Sequence, residues 1–543
     1  MTKILGITHG AHSSGIAYLV NGKAEIILDE ERLIRIKNCR DFDESFDRYP
    51  YECMRQLVKR YNVNLSEIDA FVSCFDYETI RVIVSWHGYE VPREKFFLVD
   101  HHHAHAAYSL YFSGCEDDTL MFCADASGNN FSNSKAYIYE NREMILVNNI
   151  EMNRKSFGHF YAALTELIGF KRIKDEGKVV GLSGHGYLWQ NLYEVWKNLI
   201  VIDDTLTDLD IHHELGGGIY QDMYYKFFLL NGSRYWKNED FIKRIAYTGQ
   251  KIFEEKVTEL ITNLHKKYPN KNKLVLSGGI FANIKLNKRL NELDWVREVF
   301  ILPPMGDEGL AMGCAISYAH SIGMRDLSVD NIYMGRSFSQ DEVEDAAREI
   351  LGDYVKFELS YDFIAKSLME GVIFGLYQGR SEHGARALGN RSIICDATRK
   401  ETYDILNGKL HRNDFMPFAP SVIDEDADVI FQIAKSRHTA EYMNILFDTR
   451  EQFKDKFPTC LHPIDKTARI QIVKESRNKL FYDILKRYKD FSGYGILVNT
   501  SFNVHDEPIV DKPEDAFIHL RNGIVDLIIT EYGIYKYTGI HKG

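Results

Sequence analysis

The chain has 543 residues, 45% of them hydrophobic, which is enough for several domains that each bury a core. Its formal net charge of −12 disfavours a free-standing nucleic-acid binder, because such a protein needs a basic face to displace phosphate counterions. The start lacks the apolar segment of a signal peptide, and no run of about 18 apolar residues follows, so we predict a cytoplasmic protein without a membrane span. Without CxxC pairs, the eight cysteines are expected to be reduced thiols.

The first predicted element is a hairpin over residues 3–28, because apolar segments flank an Asn21-Gly22 pair, which is a strong signal for a tight hairpin turn. A second strand–loop–strand arrangement is predicted over 119–151, where an apolar strand enters a loop rich in Asp, Ser, Gly and Asn. Two such arrangements suggest an internal duplication. Residues 274–290 predict a strand, a glycine turn and a helix, a combination that can present backbone N–H groups to an anion.

The polar stretch near 325–345 ends in an acidic helix start and is the best predicted domain boundary. We therefore predict one domain over 1–340 and a second over 346–543. Beyond the boundary the character of the chain changes, because arginines become frequent between 380 and 412.

Four histidines follow Asp100 at a predicted helix start. His101 and His105 are four residues apart, which places both imidazoles on one helical face where they can share a metal ion. The alternative is that these histidines cap the helix or are polar residues buried in the protein core. Asp125 and Asp307 are candidate further ligands, because each lies in a glycine-containing turn after an apolar strand. A turn aspartate that bonds its own backbone is the alternative for each.

The arginines Arg380, Arg386, Arg391 and Arg412 are candidates for gripping phosphate or carboxylate oxygens with their planar, charged forks. They are interleaved with Gly, Ala and Leu, which favours a ligand site. A solvated basic face is the alternative.

Several segments, taken together and in order, resemble the O-carbamoyltransferases of antibiotic and nodulation-factor biosynthesis, of the tobramycin, cephamycin and NodU type. The resemblance spans nearly the whole chain. It is carried by HGAHSSG, EERLIRIK, DHHHAHAA, GFKRIKDEGKVVGL, LSGGIFAN, PPMGDEG, GRSEHGARALGNRSI, FMPFAPS and NTSFNVHDEPIV.

The resemblance implies an α/β protein with a duplicated actin-like, ribonuclease-H-like N-terminal domain, followed by a YrdC-like α/β domain. The C-terminal domain would form carbamoyl-adenylate from carbamoyl phosphate and ATP with Mg²⁺. The N-terminal domain would transfer the carbamoyl group to a hydroxyl of a small molecule. The expected partners include no nucleic acid and no membrane, and the expected oligomeric state is a monomer or a homodimer.

The resemblance also implies roles for individual residues. A divalent ion, with iron(II) as the expected metal, would be bound by His101, His105, Asp125 and Asp307. His12 would act near the acceptor hydroxyl, and Arg386 and Arg391 would be the catalytic arginines of activation. The adenylate would be held by Lys178, Gly181, Gly278, Gly279 and Asn283. The activation site would also include Arg380, Arg412, Asn499, Ser501 and Asn503.

Two departures from the family pattern concern the acceptor. The first loop reads HGAHSSG where the family tends to carry an aromatic residue and HDA(S/A), and GHG follows GLS where a proline-tyrosine turn is usual. The competing interpretations are a tRNA threonylcarbamoyl-type transferase and a non-catalytic, actin-like nucleotide-binding regulator. The acceptor stays open among an aminoglycoside, a cephem, a sugar and an alkaloid.

Overall fold

A computed structural model describes residues 1–10, 13–39, 49–125, 132–151, 156–202, 209–210, 223, 227, 238–327, 329, 331–411 and 417–539. The chain forms two compact units, one made of Met1–Leu98 with Tyr318–Gly543 and the other of Val99–Ser317. Each of the eight cysteines is a free thiol. None of the helices in the described part of the chain is long and apolar enough to cross a bilayer.

The N-terminal part of the first unit is built on a five-stranded sheet. Its strands are β1 (Lys3–Thr8), β2 (Gly15–Val20), β3 (Lys23–Asp29), β4 (Ala70–Ser73) and β5 (Phe96–Leu98), and its helices are α1 (Glu30–Ile34), α2 (Tyr51–Lys59) and α3 (Tyr77–Ser85). The strand order is β3-β2-β1-β4-β5, with β2 and β3 antiparallel to their neighbours and β4 and β5 parallel to β1. Asn21 and Gly22 both have positive φ, as a tight hairpin turn requires, so the predicted hairpin is confirmed.

The second unit contains another five-stranded sheet. Its strands are β6 (Thr119–Ala124), β7 (Ser132–Glu140), β8 (Glu143–Glu151), β11 (Lys273–Ser277) and β12 (Glu298–Ile301), and a separate strand pair is formed by β9 (Val201–Ile202) and β10 (Leu209–Asp210). The order is β12-β11-β6-β7-β8, with β7 and β8 antiparallel and β11 and β12 parallel to β6. This order and these directions repeat those of the first sheet, which confirms the predicted duplication.

The second unit also contains several α-helices. They are α4 (His101–Ser113), α5 (Phe157–Leu167), α6 (Glu176–Ser183), α7 (Gln190–Trp196), α8 (Glu239–Lys267), α9 (Ile284–Asn291) and α10 (Leu310–Ser321), whose last residues belong to the first unit. Helix α4 is buried on nearly all sides. A Cβ at Gly313 would lie 2.2 Å from the carbonyl oxygen of Ala104, so α10 approaches α4 more closely than a side chain would permit.

The C-terminal part of the first unit is a mixed eight-stranded sheet in the order β13-β22-β21-β14-β15-β20-β16-β19. Its strands and the pair β17 and β18 are β13 (Tyr354–Phe357), β14 (Phe374–Tyr377), β15 (Arg391–Asp396), β16 (Ala419–Ile423), β17 (Phe447–Asp448), β18 (Thr467–Ala468), β19 (Gln471–Val473), β20 (Ile496–Ser501), β21 (Leu527–Thr530) and β22 (Gly533–Tyr537). Its helices are α11 (Gln340–Leu351), α12 (Tyr361–Met369), α13 (Lys400–Lys409), α14 (Asp424–Ile430), α15 (Lys479–Ser492) and α16 (Pro513–Arg521). Along β15, Ile393 and Ile394 belong to different hydrophobic clusters, so both faces of the sheet are covered.

These observations establish a mixed α/β protein. The YrdC-like assignment of the C-terminal sheet stays a prediction. The predicted domain ranges, 1–340 and 346–543, are based on the polar stretch near 325–345 and the change in composition beyond it, and they also stay a prediction. Packing groups residues 1–98 with 318–543.

Candidate metal centre

Helix α4 places two histidines on one face. Its N-cap residue Asp100 accepts a hydrogen bond from the backbone N–H of His103 at 3.0 Å, and Lys135 Nζ donates to the same carboxylate at 2.8 Å. The cap fixes where the helix begins, and the four-residue spacing within the helix places His101 and His105 on one face. The rings of His101 and His105, one turn apart, have centroids separated by 4.9 Å and an interplanar angle of 71°.

The two aspartates follow parallel strands of the same sheet. Asp125 comes directly after β6, and Asp307 begins a short 3₁₀ turn between β12 and α10. The backbone N–H of Gly279, in the turn after β11, donates to Asp125 Oδ1 at 2.6 Å. Since the carboxyl ends of parallel strands meet at one edge of a sheet, both aspartates lie at the edge where ligands commonly bind.

The four side chains converge on one point. Asp125 Oδ2 lies 3.1 Å from His105 Nε2 and 3.6 Å from His101 Nε2, while Asp307 Oδ1 lies 3.6 Å from each of these nitrogens. The four candidate ligand atoms are all within 4.8 Å of one another. His105 Nε2 and Asp125 Oδ2 are buried and have no hydrogen-bond partner of good geometry among the described residues. Two imidazoles and two carboxylates in this arrangement suit a divalent transition-metal ion.

The charges of the cluster are strongly coupled. Burial alone would lower the pKa of His105, but the neighbouring carboxylates of Asp125 and Asp307 outweigh it and raise the pKa to about 10. Burial opposes ionisation of Asp125, yet the contacts with His101 and His105 hold its pKa well below the usual range. The cluster therefore stabilises positive charge between its carboxylates. A metal cation can supply that charge in place of the histidine proton.

The other histidines of the block do not belong to the cluster. His102 is fully buried, and burial lowers its pKa to about 3, so its imidazole is neutral. His103 Nδ1 lies 3.1 Å from the Ser317 hydroxyl. Sequence reasoning missed Lys135 as a residue that supports the helix cap, because a lysine in a strand carries no signal of such a contact.

Asn283, one of the predicted adenylate contacts, lies within a buried amide pair. Its amide nitrogen donates to Gln250 Oε1 at 2.9 Å, and Gln250 Nε2 donates back to Asn283 Oδ1 at 2.9 Å. The Asn283 side chain also accepts from the N–H of Leu286 as the N-cap of α9. Tyr161 donates its hydroxyl to Gln250 Oε1. These contacts give Asn283 a structural role.

The other predicted adenylate contacts lie in helix α6 and in the turn after β11. Lys178 Nζ lies 2.8 Å from Asp175 Oδ1, and Gly181 is one turn further along α6. Gly278 has a φ of 95°, and a Cβ there would lie 2.1 Å from the Ala124 carbonyl oxygen. Gly278 and Gly279 therefore bring the turn directly against the end of β6.

Arg391 and Arg380 bind backbone carbonyls in the first unit. Arg391 is 0% exposed, and its guanidinium donates to the carbonyl oxygens of Gln378, Gly379, Asn390 and Arg336. Arg380 donates to those of Gly335, Met334 and Glu25. Both guanidinium groups thus hold loops together. Their predicted roles in activation stay predictions.

The remaining predicted activation residues are placed as follows. Arg386 is half-buried on the 380–391 loop. Asn499 donates to Ser421 and Gln471 within a buried polar network, and Asn503 donates to Val504 and Glu507 carbonyls in its own turn. Ser501 ends β20. His12 and Arg412 lie outside the described residues.

Comparison with known families gives two matches along the chain. Residues 75–316 match the model of the carbamoyltransferase N-terminus, and this range contains all four residues of the cluster. Residues 365–536 match the model of the carbamoyltransferase C-terminus.

Similar proteins include both unassigned and named relatives. An uncharacterized protein of Methanocaldococcus jannaschii is 33% identical, covering 82% of this chain and 75% of the relative. The nodulation protein NolNO of Sinorhizobium fredii is 28% identical over 96% of this chain and 79% of its own length. The 3'-hydroxymethylcephem-O-carbamoyltransferase of Amycolatopsis lactamdurans is 27% identical over 66% of this chain and 65% of its own length.

Proposed function

The chain belongs to the carbamoyltransferase family and is an enzyme that transfers carbamoyl groups, and from this premise we propose that it uses carbamoyl phosphate and ATP to carbamoylate a hydroxyl group of a small molecule. The observation that carries the transfer step is the convergence of His101, His105, Asp125 and Asp307. A divalent ion held there would supply a Lewis acid for a carbonyl oxygen.

The chain's own residues prepare this centre for the transfer. The Gly279 N–H orients the Asp125 carboxylate, and the Asp100 cap orients α4 with its two histidines. Because a backbone N–H holds Asp125 and a capped helix carries the two histidines, these ligands require little reorganisation when substrate arrives. His12 is proposed to orient the acceptor hydroxyl and to take its proton.

The acceptor is proposed to be a small-molecule alcohol. One relative is named as an O-carbamoyltransferase of a hydroxymethylcephem, which is a hydroxyl-bearing small molecule. The acidic balance of the chain supports this acceptor class over a nucleic acid. We place the reaction in the cytoplasm.

Activation is proposed to occur in the C-terminal, YrdC-like domain. Carbamate is a poor electrophile. Water first hydrolyses carbamoyl phosphate to carbamate and inorganic phosphate. One carbamate oxygen then bonds to the α-phosphorus of ATP as the bond from that phosphorus to the bridging oxygen breaks, and pyrophosphate leaves with Mg²⁺ balancing its charge. The product, carbamoyl-adenylate, is a mixed anhydride whose leaving group in the transfer step is AMP. Arg386 and Arg412 are proposed to bind the phosphates, with Asn499, Ser501 and Asn503 nearby.

The test measures the two half-reactions separately. Carbamoyl phosphate and ATP are supplied with a panel of alcohols, pyrophosphate release reports activation, and mass spectrometry reports the carbamoylated product. A His12→Asn variant is expected to release pyrophosphate but to form no product, since adenylate formation does not require that histidine. Equal loss of both half-reactions in a folded, metal-loaded variant would contradict separate sites.

A further inference from the structure

Six rings form a continuous aromatic cluster in the N-terminal part of the first unit. Each ring contacts the next, with centroids 4.0–6.2 Å apart. In order of contact, the rings are those of Phe75, His9, Tyr49, Trp86, Tyr51 and His87. Three of them are large and partly open to solvent, since Tyr49 is 41%, Tyr51 47% and Trp86 47% exposed. Single exposed rings are ordinary, whereas a contiguous exposed patch indicates a binding surface.

The cluster begins at the edge of the first sheet where ligands commonly bind. His9 directly follows β1 and Phe75 follows β4, and these two strands are parallel. Their carboxyl ends therefore meet at one edge, and ligands of open α/β sheets bind outside that edge. In the duplicated second sheet, the equivalent edge carries Asp125, which follows the strand β6 that corresponds to β1.

The exposed rings carry hydrogen-bond donors that are not in use. The hydroxyls of Tyr49 and Tyr51 and the indole N–H of Trp86 have no hydrogen-bond partner in the part of the chain that the structure describes. The rings pack against one another, with Trp86 tilted by 68° to Tyr49 and by 55° to Tyr51. These contacts hold the side chains in place, so a ligand orders little on binding. Ring faces with free donors at their ends suit a ligand that has an apolar face and a polar rim.

The charges around the cluster do not favour a polycation. Helices α2 and α3, which adjoin it, together carry two glutamates, two arginines and one lysine. Burial lowers the pKa of the His87 imidazole, and the nearby cations Arg55 and Lys59 lower it further, while Glu52 opposes them. A polycationic aminoglycoside needs a surplus of carboxylates, which these helices lack.

The size of the patch favours a small molecule over a protein partner. Three rings that are 41–47% exposed present roughly 200–350 Å², because a whole aromatic side chain has about 150–250 Å². A standard protein interface needs about 800 Å² from each partner. A pyranose ring matches the patch in size and chemistry. Its C–H groups can face the negative side of an aromatic ring, and its hydroxyl oxygens can accept from the free donors.

We propose that the aromatic cluster binds a sugar ring of the acceptor, so that the acceptor is a neutral glycoside. This inference rests on the proposed transfer to a hydroxyl of a small molecule. Trp86 stacks on the C–H face of the sugar, and the hydroxyls of Tyr49 and Tyr51 donate to its rim.

The test measures binding to the full chain by saturation-transfer NMR titration, without ATP or carbamoyl phosphate. The probes are the neutral trisaccharides cellotriose and maltotriose, together with sorbitol, which has hydroxyls but no ring. The wild-type protein is expected to bind at least one trisaccharide saturably and at least about tenfold more tightly than sorbitol. Trp86→Ala should weaken this binding about tenfold. Trp86→Phe keeps a ring face and loses only the N–H, so it should weaken binding about threefold or less.

Phe363→Ala is the matched control, because Phe363 is 40% exposed on α12 of the same unit but lies outside the cluster. It should bind the trisaccharide as the wild-type protein does. A wild-type protein that binds neither trisaccharide, or that binds kanamycin more tightly than both, overturns the inference. So does a folded Trp86→Ala protein with unchanged affinity, or a wild-type dimer that this substitution dissociates, since a second copy would then cover the rings.

The same titration separates this inference from the proposed function. Carbamoylation of alcohols without binding of either trisaccharide removes the inference alone. If a trisaccharide binds but the protein carbamoylates no alcohol, the proposed function fails, and the acceptor role of the cluster fails with it.

Discussion

The candidate metal centre of the second unit and the two arginines Arg391 and Arg380 of the first unit both contain charged side chains removed from solvent, but these side chains have different partners. Around Asp125 and His105 the nearest charged atoms belong to side chains of the cluster itself. Around Arg391 the partners are carbonyl oxygens of four residues.

This difference distinguishes buried charges that can still bind a ligand from buried charges that already bond the backbone. Side chains that converge on one another keep lone pairs for a ligand, whereas a guanidinium that bonds several carbonyls has few donors left for a phosphate. The number of arginines or histidines in a segment does not show whether they bind a ligand. The hydrogen-bond partners of each buried charge show it.

The strongest test of the comparison removes the two histidines. In a His101→Ala, His105→Ala double variant, half of the candidate ligands are gone, so we expect loss of bound metal and a fall in acceptor carbamoylation of at least about a hundredfold. Elemental analysis and product mass spectrometry measure both. His103→Ala, in the same block but outside the cluster, should retain the metal. Full metal occupancy in the double variant would refute the site.

The second test concerns Arg391. Arg391→Ala removes this donor from the carbonyls of Gln378 and Gly379, whereas the carbonyls of Asn390 and Arg336 keep backbone donors. We therefore expect the free energy of unfolding to fall by about 3–5 kcal/mol, as measured by chemical denaturation. Arg386→Ala changes a half-buried side chain on the same loop, and it should keep most of the stability while losing ATP–pyrophosphate exchange. An Arg391→Ala protein of wild-type stability that fails only in exchange would show that this arginine serves activation.

Local patterns predicted much of the fold. The Asn21-Gly22 turn and the apolar segments beside it specify a hairpin with short-range interactions alone. The second hairpin set and the strand before Gly278 were equally visible. The duplication followed because the same local pattern occurs twice. That residues 1–98 pack with 318–543 depends on long-range contacts that no local pattern encodes.

Local patterns also predicted part of the candidate site. The spacing of His101 and His105 fixes their common face, and Asp125 and Asp307 each follow a strand of a parallel set. By contrast, Arg391 meets the carbonyl of Arg336 far away in sequence. Whether an arginine faces a ligand or a loop is decided by such tertiary contacts.

A smaller effect is expected at Asn283. In Asn283→Asp the oxygen that caps α9 remains, but the donor to Gln250 Oε1 becomes an acceptor. Gln250 cannot simply turn over, because Tyr161 donates to the same Oε1 and Glu254 accepts from Nε2. We expect a loss of about 1–3 kcal/mol in stability with an unchanged KM for ATP. A raised KM at unchanged stability would favour the predicted adenylate contact.

The smallest effect is expected at Gly279, which tests how tightly the metal centre is positioned. A Cβ there would lie 2.8 Å from Asp125 Oδ1, closer than such contacts permit, while the N–H that donates to this oxygen would remain. Because Oδ1 ends a short side chain, Gly279→Ala should displace the carboxylate slightly and leave the fold intact. We expect metal affinity to fall about tenfold, the lower end of the effect of disturbing a contact that supports a ligand, as measured by competition with a chelator. Gly177→Ala is the control, since that helical glycine has no atom within 4 Å of an added Cβ and should gain up to about 1 kcal/mol in stability without a change in metal affinity. Equal metal affinity in both variants would mean that metal affinity does not depend on where the turn holds Asp125 Oδ1, and the contrast between the candidate ligand set and the carbonyl-bound Arg391 and Arg380 would lose this support.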